Sequence, residues 1–170
     1  MRQFALLTLL AAVTILSACG FRLRGSFDTP LPFETLHIAQ PETSELHAAL
    51  KRSIEATGKT RIVKEAKDAQ AVLSVLGDSQ QKNILSLSAA GRVREFQLVR
   101  TFGFRLHDPK GRDFMPPGTI VVRREITFSD EQVLSKESEE ALLWRDMQAD
   151  LVQQLLRRLA AAKTRPLDGQ

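Results

Sequence analysis

Cysteine occurs once in this chain of 170 residues, at Cys19, so no internal disulfide is possible. Histidine is scarce as well: His37, His47 and His107 stand far apart, and none belongs to a pair with metal-ligand spacing. There is no glycine-rich phosphate loop and no serine elbow. Carboxylate neighbours such as Glu139-Glu140 read as helix-start residues rather than as an acid–base pair. These gaps leave the sequence with no catalytic residue, no metal site and no cofactor site to nominate. Internal repeats, low-complexity tracts and a second long apolar run are also missing.

The N-terminus carries the most specific signal. Arg2 supplies one positive charge, residues 4–16 are apolar apart from two threonines, and Leu16-Ser17-Ala18-Cys19 closes the run. A charged start, a short apolar stretch and small residues at a cut describe a secretory signal peptide. The run falls short of the roughly 20 residues that a bilayer span needs. Leu-Ser-Ala-Cys looks like the lipobox of bacterial lipoproteins, in which the thiol takes a diacylglycerol, the signal is removed and the new amine is acylated. Lipidation consumes the lone thiol, and more than one acyl chain gives stable anchoring without a transmembrane helix. Gly20 follows, where an aspartate commonly retains such proteins at the inner membrane; glycine points to the outer membrane. The expected organisation is a signal peptide over 1–18, a lipidated tether over 19–32, one domain over 33–163 and a disordered tail over 164–170.

Hydrophobic residues at 43% and charged residues at 26% are ordinary for a globular domain. Arg2 is the only charge among the first 18 residues. The remainder therefore holds 23 basic and 20 acidic side chains, a balance of +3. This mild excess favours an anionic partner, and export excludes nucleic acid.

Periodicity predicts an α+β fold with two helices on one face of a mostly antiparallel, mixed sheet of about four strands. Residues 33–38 alternate as a half-buried strand. Thr43 or Ser44 caps a helix striped by Leu46, Ala49, Leu50 and Ile54, and Gly58 stops it. Residues 71–88 read as one irregular strand or two. Residues 94–106 form the clearest strand, with Phe96, Leu98, Phe102, Phe104 and Leu106 on one face. Asp108-Pro109-Lys110-Gly111 is a turn by its chemistry, and residues 119–128 form the next strand. Arg100 and Arg124 fall on the apolar faces of these strands; either a bulge turns them out, or they sit near an edge or pair with carboxylates. His37 and His47 read as solvated. Residues 129–138 read as a polar connection, with Ser135 or Ser138 capping a helix over 139–162. That helix carries Leu143, Trp144, Met147, Leu151, Leu155 and Leu159 on one stripe.

The segments LSACGFRLRG, LHIA, GRVREFQLVRTFGFRL and LLWRDMQADLVQQLLRRL together resemble the LptE family of lipopolysaccharide-assembly lipoproteins, over essentially the whole chain. The resemblance implies a non-catalytic, outer-membrane protein that plugs the LptD β-barrel, supports its assembly and helps deliver lipopolysaccharide to the outer leaflet. It also implies lipopolysaccharide binding, with Lys136 in VLSKES at one basic position of the family. Arg92 and Arg94, at the opening of the best strand, stand near a second, with the charge shifted along the chain. Loop cations of this kind suit lipid A phosphates through charge-assisted hydrogen bonds. The alternative is a periplasm-facing binding or structural lipoprotein without a barrel partner.

Because Cys19 is the acceptor in this reading, Cys19→Ala is expected to block lipidation and signal removal at this site. Mass spectrometry of the mature wild-type N-terminus is expected to find a diacylglyceryl-modified cysteine; a free thiol there would contradict the assignment.

Overall fold

A computed structural model describes residues 30–129 and 133–167. The signal peptide, Cys19 and the tether before Pro30 lie outside the described residues. In chain order the elements are β1 (Thr35–Ala39), α1 (Glu45–Glu55), β2 (Arg61–Ile62), a 3-10 turn (Ala66–Asp68), β3 (Ala71–Leu87), β4 (Val93–His107), β5 (Gly118–Thr127) and α2 (Val133–Ala160). The strands form one sheet in the order β2-β1-β3-β4-β5. The fold is α+β as expected, with five strands rather than about four; two residues at β2 are too few to show a period.

The connections explain the mixed sheet. β1 is parallel to β2 and to β3, because parallel neighbours need a long crossover, which α1 supplies. β3, β4 and β5 are antiparallel, joined by a five-residue hairpin connection (88–92) and a ten-residue one (108–117). β1 pairs only with Ala71, Val72, Leu73 and Ser74 of β3. From Val75 onward β3 therefore has no partner on that side among the described residues. Residues 71–87 form one strand, kept continuous by register shifts between Val75 and Gly77 and around Ser86. Such bulges bend a strand without ending it. Leu76, Ile84, Leu85 and Leu87 on this free stretch are exposed.

Of the two candidate caps, Ser44 closes α1, its Oγ accepting from the His47 amide. Gly58 follows with φ 68°, the left-handed conformation that releases the chain from a helix. His47 is buried, not solvated: Nδ1 donates to the Gln40 carbonyl at 3.2 Å, which satisfies the ring on the inner side of the helix. His37 is half-buried and donates through Nδ1 to the Val63 carbonyl at 3.1 Å.

The core lies between the sheet and the two helices. Leu98, Phe102, Phe104 and Leu106 of β4 and Ile120 of β5 are fully covered, as are Met147, Leu151, Leu155 and Leu159 of α2. Gly118 is fixed by this packing, since a Cβ there would stand 2.9 Å from the Phe104 ring. α2 starts earlier than its polar sequence suggests, at Val133 rather than at 139. Residues 119–164 contain no glycine or proline, and Leu, Lys and Glu are good helix formers, so nothing breaks the helix there. Neither candidate serine caps it: both lie within the helix, and Ser138 Oγ donates back to the Leu134 carbonyl. After α2, Thr164 and Pro166 line a hollow beside Phe33 and Phe114. The Leu167 amide donates to the Asp113 carbonyl at 2.6 Å. Of the expected tail, Pro166 and Leu167 are half-buried and Thr164 and Arg165 exposed; 168–170 lie outside the described residues.

Asp108 organises the β4–β5 turn. Its carboxylate accepts from the amides of Lys110 and Arg112 and from Arg112 Nε at 2.8 to 3.0 Å. Burial opposes the charged form, but these hydrogen bonds and the Arg112 charge outweigh it and hold the carboxyl below its ordinary value. A lowered folded-state pKa contributes stability above the unfolded value, near 3.9, and loses it as pH falls through the folded one. Asp108→Asn is therefore expected to lower the melting temperature at pH 7, with the gap to wild type closing below about pH 4. A gap that stays constant between pH 7 and pH 3 would contradict this role.

Candidate functional site

At the end of the sheet farthest from Pro30, β3, β4, β5 and the start of α2 enclose a cleft of about 290 Å³. Its lining is Lys82, Phe96, Ile126, Phe128, Lys136, Glu137 and Glu140. Alternation builds the apolar wall: Phe96 and Ile126 are register partners across β4 and β5. Phe128 lies just beyond β5 and meets Phe96 edge to face, with centroids 5.5 Å apart.

The cations come from opposite sides. Lys82, on β3, stands 4.3 Å from the centre of the Phe96 ring and 2.6 Å from Glu140 Oε2. Lys136, in the first turn of α2, donates to Thr127 Oγ1 at 3.0 Å and to Glu139 Oε2 at 2.8 Å. Its side chain is only 17% exposed. The sequence suggests a solvated loop for Lys136; the early helix start instead puts it in a helical turn, its ammonium group against Thr127 of β5.

Arg92 and Arg94 are exposed on the β3–β4 hairpin and do not line the cleft. They lie next to it: the Phe128 amide donates to the Arg94 carbonyl at 2.7 Å. The hairpin is closed by Ser88, whose amide donates to the Arg92 carbonyl and whose Oγ accepts from the Arg92 amide. Lys136, Arg92 and Arg94 thus share one end of the molecule, with only Lys136 inside the cleft.

Arg100 and Arg124 take the carboxylate-pairing alternative. Buried Arg100 forms a fork with Asp78, through Nε at 2.9 Å and Nη2 at 2.7 Å, and its Nη1 donates to Gln148 Oε1 of α2 at 3.2 Å. Arg124 pairs with Asp150. His107 donates through Nδ1 to the Asp108 carbonyl, so Nε2 is left to accept from Ser74 Oγ at 2.8 Å. Among the described residues no cluster of histidine, cysteine and acidic side chains is arranged to hold a metal.

Two larger hollows lack the cleft's chemistry. One, of about 500 Å³ near Pro32, contains Asp108 and Arg112, which are already paired with each other. The other, of about 540 Å³, runs along the seam of α1 and α2 over Ala48, Ala49 and Ala149, with Arg52 and Arg145 beside it and no aromatic wall. Periodicity does not single out Lys82, one charge within a polar run of β3, and it places Phe96 with the apolar face of its strand. The signal was the end of the stripe: Phe96 and Phe128 continue the apolar face to where the charged first turns of α2 meet it.

No helix among the described residues is long and apolar enough to cross a membrane. The architecture defines a two-layer α+β domain with a cation-bearing aromatic cleft at one end of its sheet. The chain belongs to the LptE family, described as lipopolysaccharide-assembly, which it matches over residues 33–159. It is 31% identical over 154 residues to the LPS-assembly lipoprotein LptE of Pectobacterium atrosepticum, covering 87% of this chain and 80% of that one. The LPS-assembly lipoprotein LptE of Yersinia pestis is 32% identical over 162 residues, covering 91% and 75%. Among solved structures, lipoprotein B from Nitrosomonas europaea superposes with a TM-score of 0.71 at 38% identity, covering 84% of this chain and 91% of that one. The rare lipoprotein B from Shewanella oneidensis gives 0.64 at 27% identity, covering 75% and 94%.

Proposed function

We propose that this protein is an outer-membrane lipoprotein, anchored through Cys19, that sits as a plug in the LptD β-barrel and receives lipopolysaccharide at the distal cleft. The observation that carries the lipid-binding part is the cleft itself, where Lys82 and Lys136 flank an aromatic wall. An acyl chain suits that wall, and phosphate oxygens suit the ammonium groups. Arg92 and Arg94 stand at the rim as further cations for a large anionic headgroup.

Two features support the barrel. Leu76, Ile84, Leu85 and Leu87 lie exposed on the unpaired half of β3. An open strand edge that also exposes leucines invites association on a free-standing monomer, and the wall of a lumen would cover it. The second is reach. The tether enters beside Phe33, whose ring packs on Phe114 at 4.7 Å, and the Phe114 amide pairs with Leu106. From Leu106 back to Phe96 of the cleft is roughly 33 Å of strand, about the thickness of a bilayer's hydrocarbon core. A domain tethered at one face and inserted along a barrel axis would bring its cleft to the other.

Lys136→Asp is expected to weaken binding of the purified protein to lipopolysaccharide by about tenfold or more, the worth of a charge-assisted hydrogen bond. An acidic residue in the first turn suits the helix dipole, so the fold should survive, and the protein should still leave the membrane in mild detergent as a stoichiometric complex with a large β-barrel. Unchanged binding would move the lipid site elsewhere; release as a free lipoprotein, in wild type as well, would favour the reading without a barrel partner.

A further inference from the structure

We infer that Lys82 is the second phosphate-binding cation of the cleft, and that Glu140 is an internal counter-ion which an arriving phosphate displaces. The inference rests on the cleft being the lipopolysaccharide site. Its geometry is that of an exchange. Glu140 Oε2 holds Lys82 at 2.6 Å, while Glu140 Oε1 accepts from Trp144 Nε1 at 3.3 Å. When Lys82 turns to a ligand, the carboxylate keeps the indole donor, so the exchange strands no polar group. Lys82 keeps its place over Phe96, whose ring face favours an ammonium whatever anion the lysine holds. Lys136 is answered in the same way by Glu139. Both cleft lysines are therefore neutralised at rest by neighbours on α2.

This arrangement selects among anions. A phosphate monoester carries about −1.5 to −2 charges at pH 7 and three acceptor oxygens, so it outbids a carboxylate for a lysine. A phosphodiester of an ordinary phospholipid carries one charge, no more than Glu140 already supplies, and gains nothing by the exchange. The cleft would thus favour amphiphiles bearing phosphate monoesters over the bulk phospholipids around it.

Trp144 is the chain's single tryptophan, and its contact with Glu140 makes it the reporter. Titrating the purified full-length protein with lipopolysaccharide is expected to change Trp144 fluorescence, and micelles of phosphatidylglycerol at the same lipid concentration are expected to leave it nearly unchanged. Glu140→Gln should bind lipopolysaccharide about two- to fivefold more tightly, because a partly exposed ion pair no longer competes. Glu137→Gln removes the same charge from the cleft lining but frees neither lysine, and should change affinity by less. In a Lys82→Gln background the gain from Glu140→Gln should vanish, since the two residues act through one contact. Equal gains from Glu140→Gln and Glu137→Gln, or a gain that survives without Lys82, would overturn the inference and leave only a net-charge effect. An equal response to phosphatidylglycerol would overturn the selectivity. Wild-type protein that binds no lipopolysaccharide would instead overturn the reading of the cleft, and this inference with it.

Discussion

Arg100 reaches from the middle of β4 to an acidic fork on β3 and an amide on α2, and it does so from a position 3% exposed. A guanidinium so deeply placed is tolerable only while its partners hold it; removing one partner of a buried pair typically costs about 3–5 kcal/mol. The contact therefore fixes how three elements sit against one another. Four residues further along β3 from Asp78 comes Lys82, four residues back along β4 from Arg100 comes Phe96, and one and two helical turns back along α2 from Gln148 come Trp144 and Glu140. These are residues of the cleft and of its counter-ion. The register set at Arg100 is the register in which lysine, ring and carboxylate meet.

The fold's asymmetry follows from strand lengths. β1 spans five residues and β3 spans seventeen, so the parallel half of the sheet ends where the antiparallel half is only beginning. α1 packs over the short half; among the described residues only α2 packs on β4 and β5. What remains uncovered at the far end is an unpaired strand edge with Ile84, Leu85 and Leu87 exposed, and an aromatic cleft. A barrel lumen would meet the first need and an acyl chain the second, while the tether at the opposite end would set the distance between anchor and cleft.

Much of this was legible in the residues. The alternation of β4, the Asp108-Pro109-Lys110-Gly111 turn, the Ser44 cap and the leucine stripe of α2 are local signals, and the structure follows them. Periodicity failed where composition or a partner outside the local stripe decides. Residues 133–138 look like a polar loop until their helix-forming composition and freedom from glycine and proline are weighed. His47 looks solvated on a charged helix, yet its ring faces the Gln40 carbonyl. Lys82 is one charge in a polar strand; only the fold brings Glu140, fifty-eight residues away, to its ammonium group. Arg100 and Arg124 are misfits on apolar faces by alternation, and the pairing alternative describes both.

The central claim, that the cleft between Phe96, Phe128 and α2 holds lipopolysaccharide, is most directly tested by contact. A photo-reactive phenylalanine analogue placed at Phe128, irradiated in living cells, is expected to yield a lipopolysaccharide adduct. The same analogue at Ala48, in the arginine-flanked seam between the helices, is expected to yield none. An adduct from Ala48 with none from Phe128 would contradict the account.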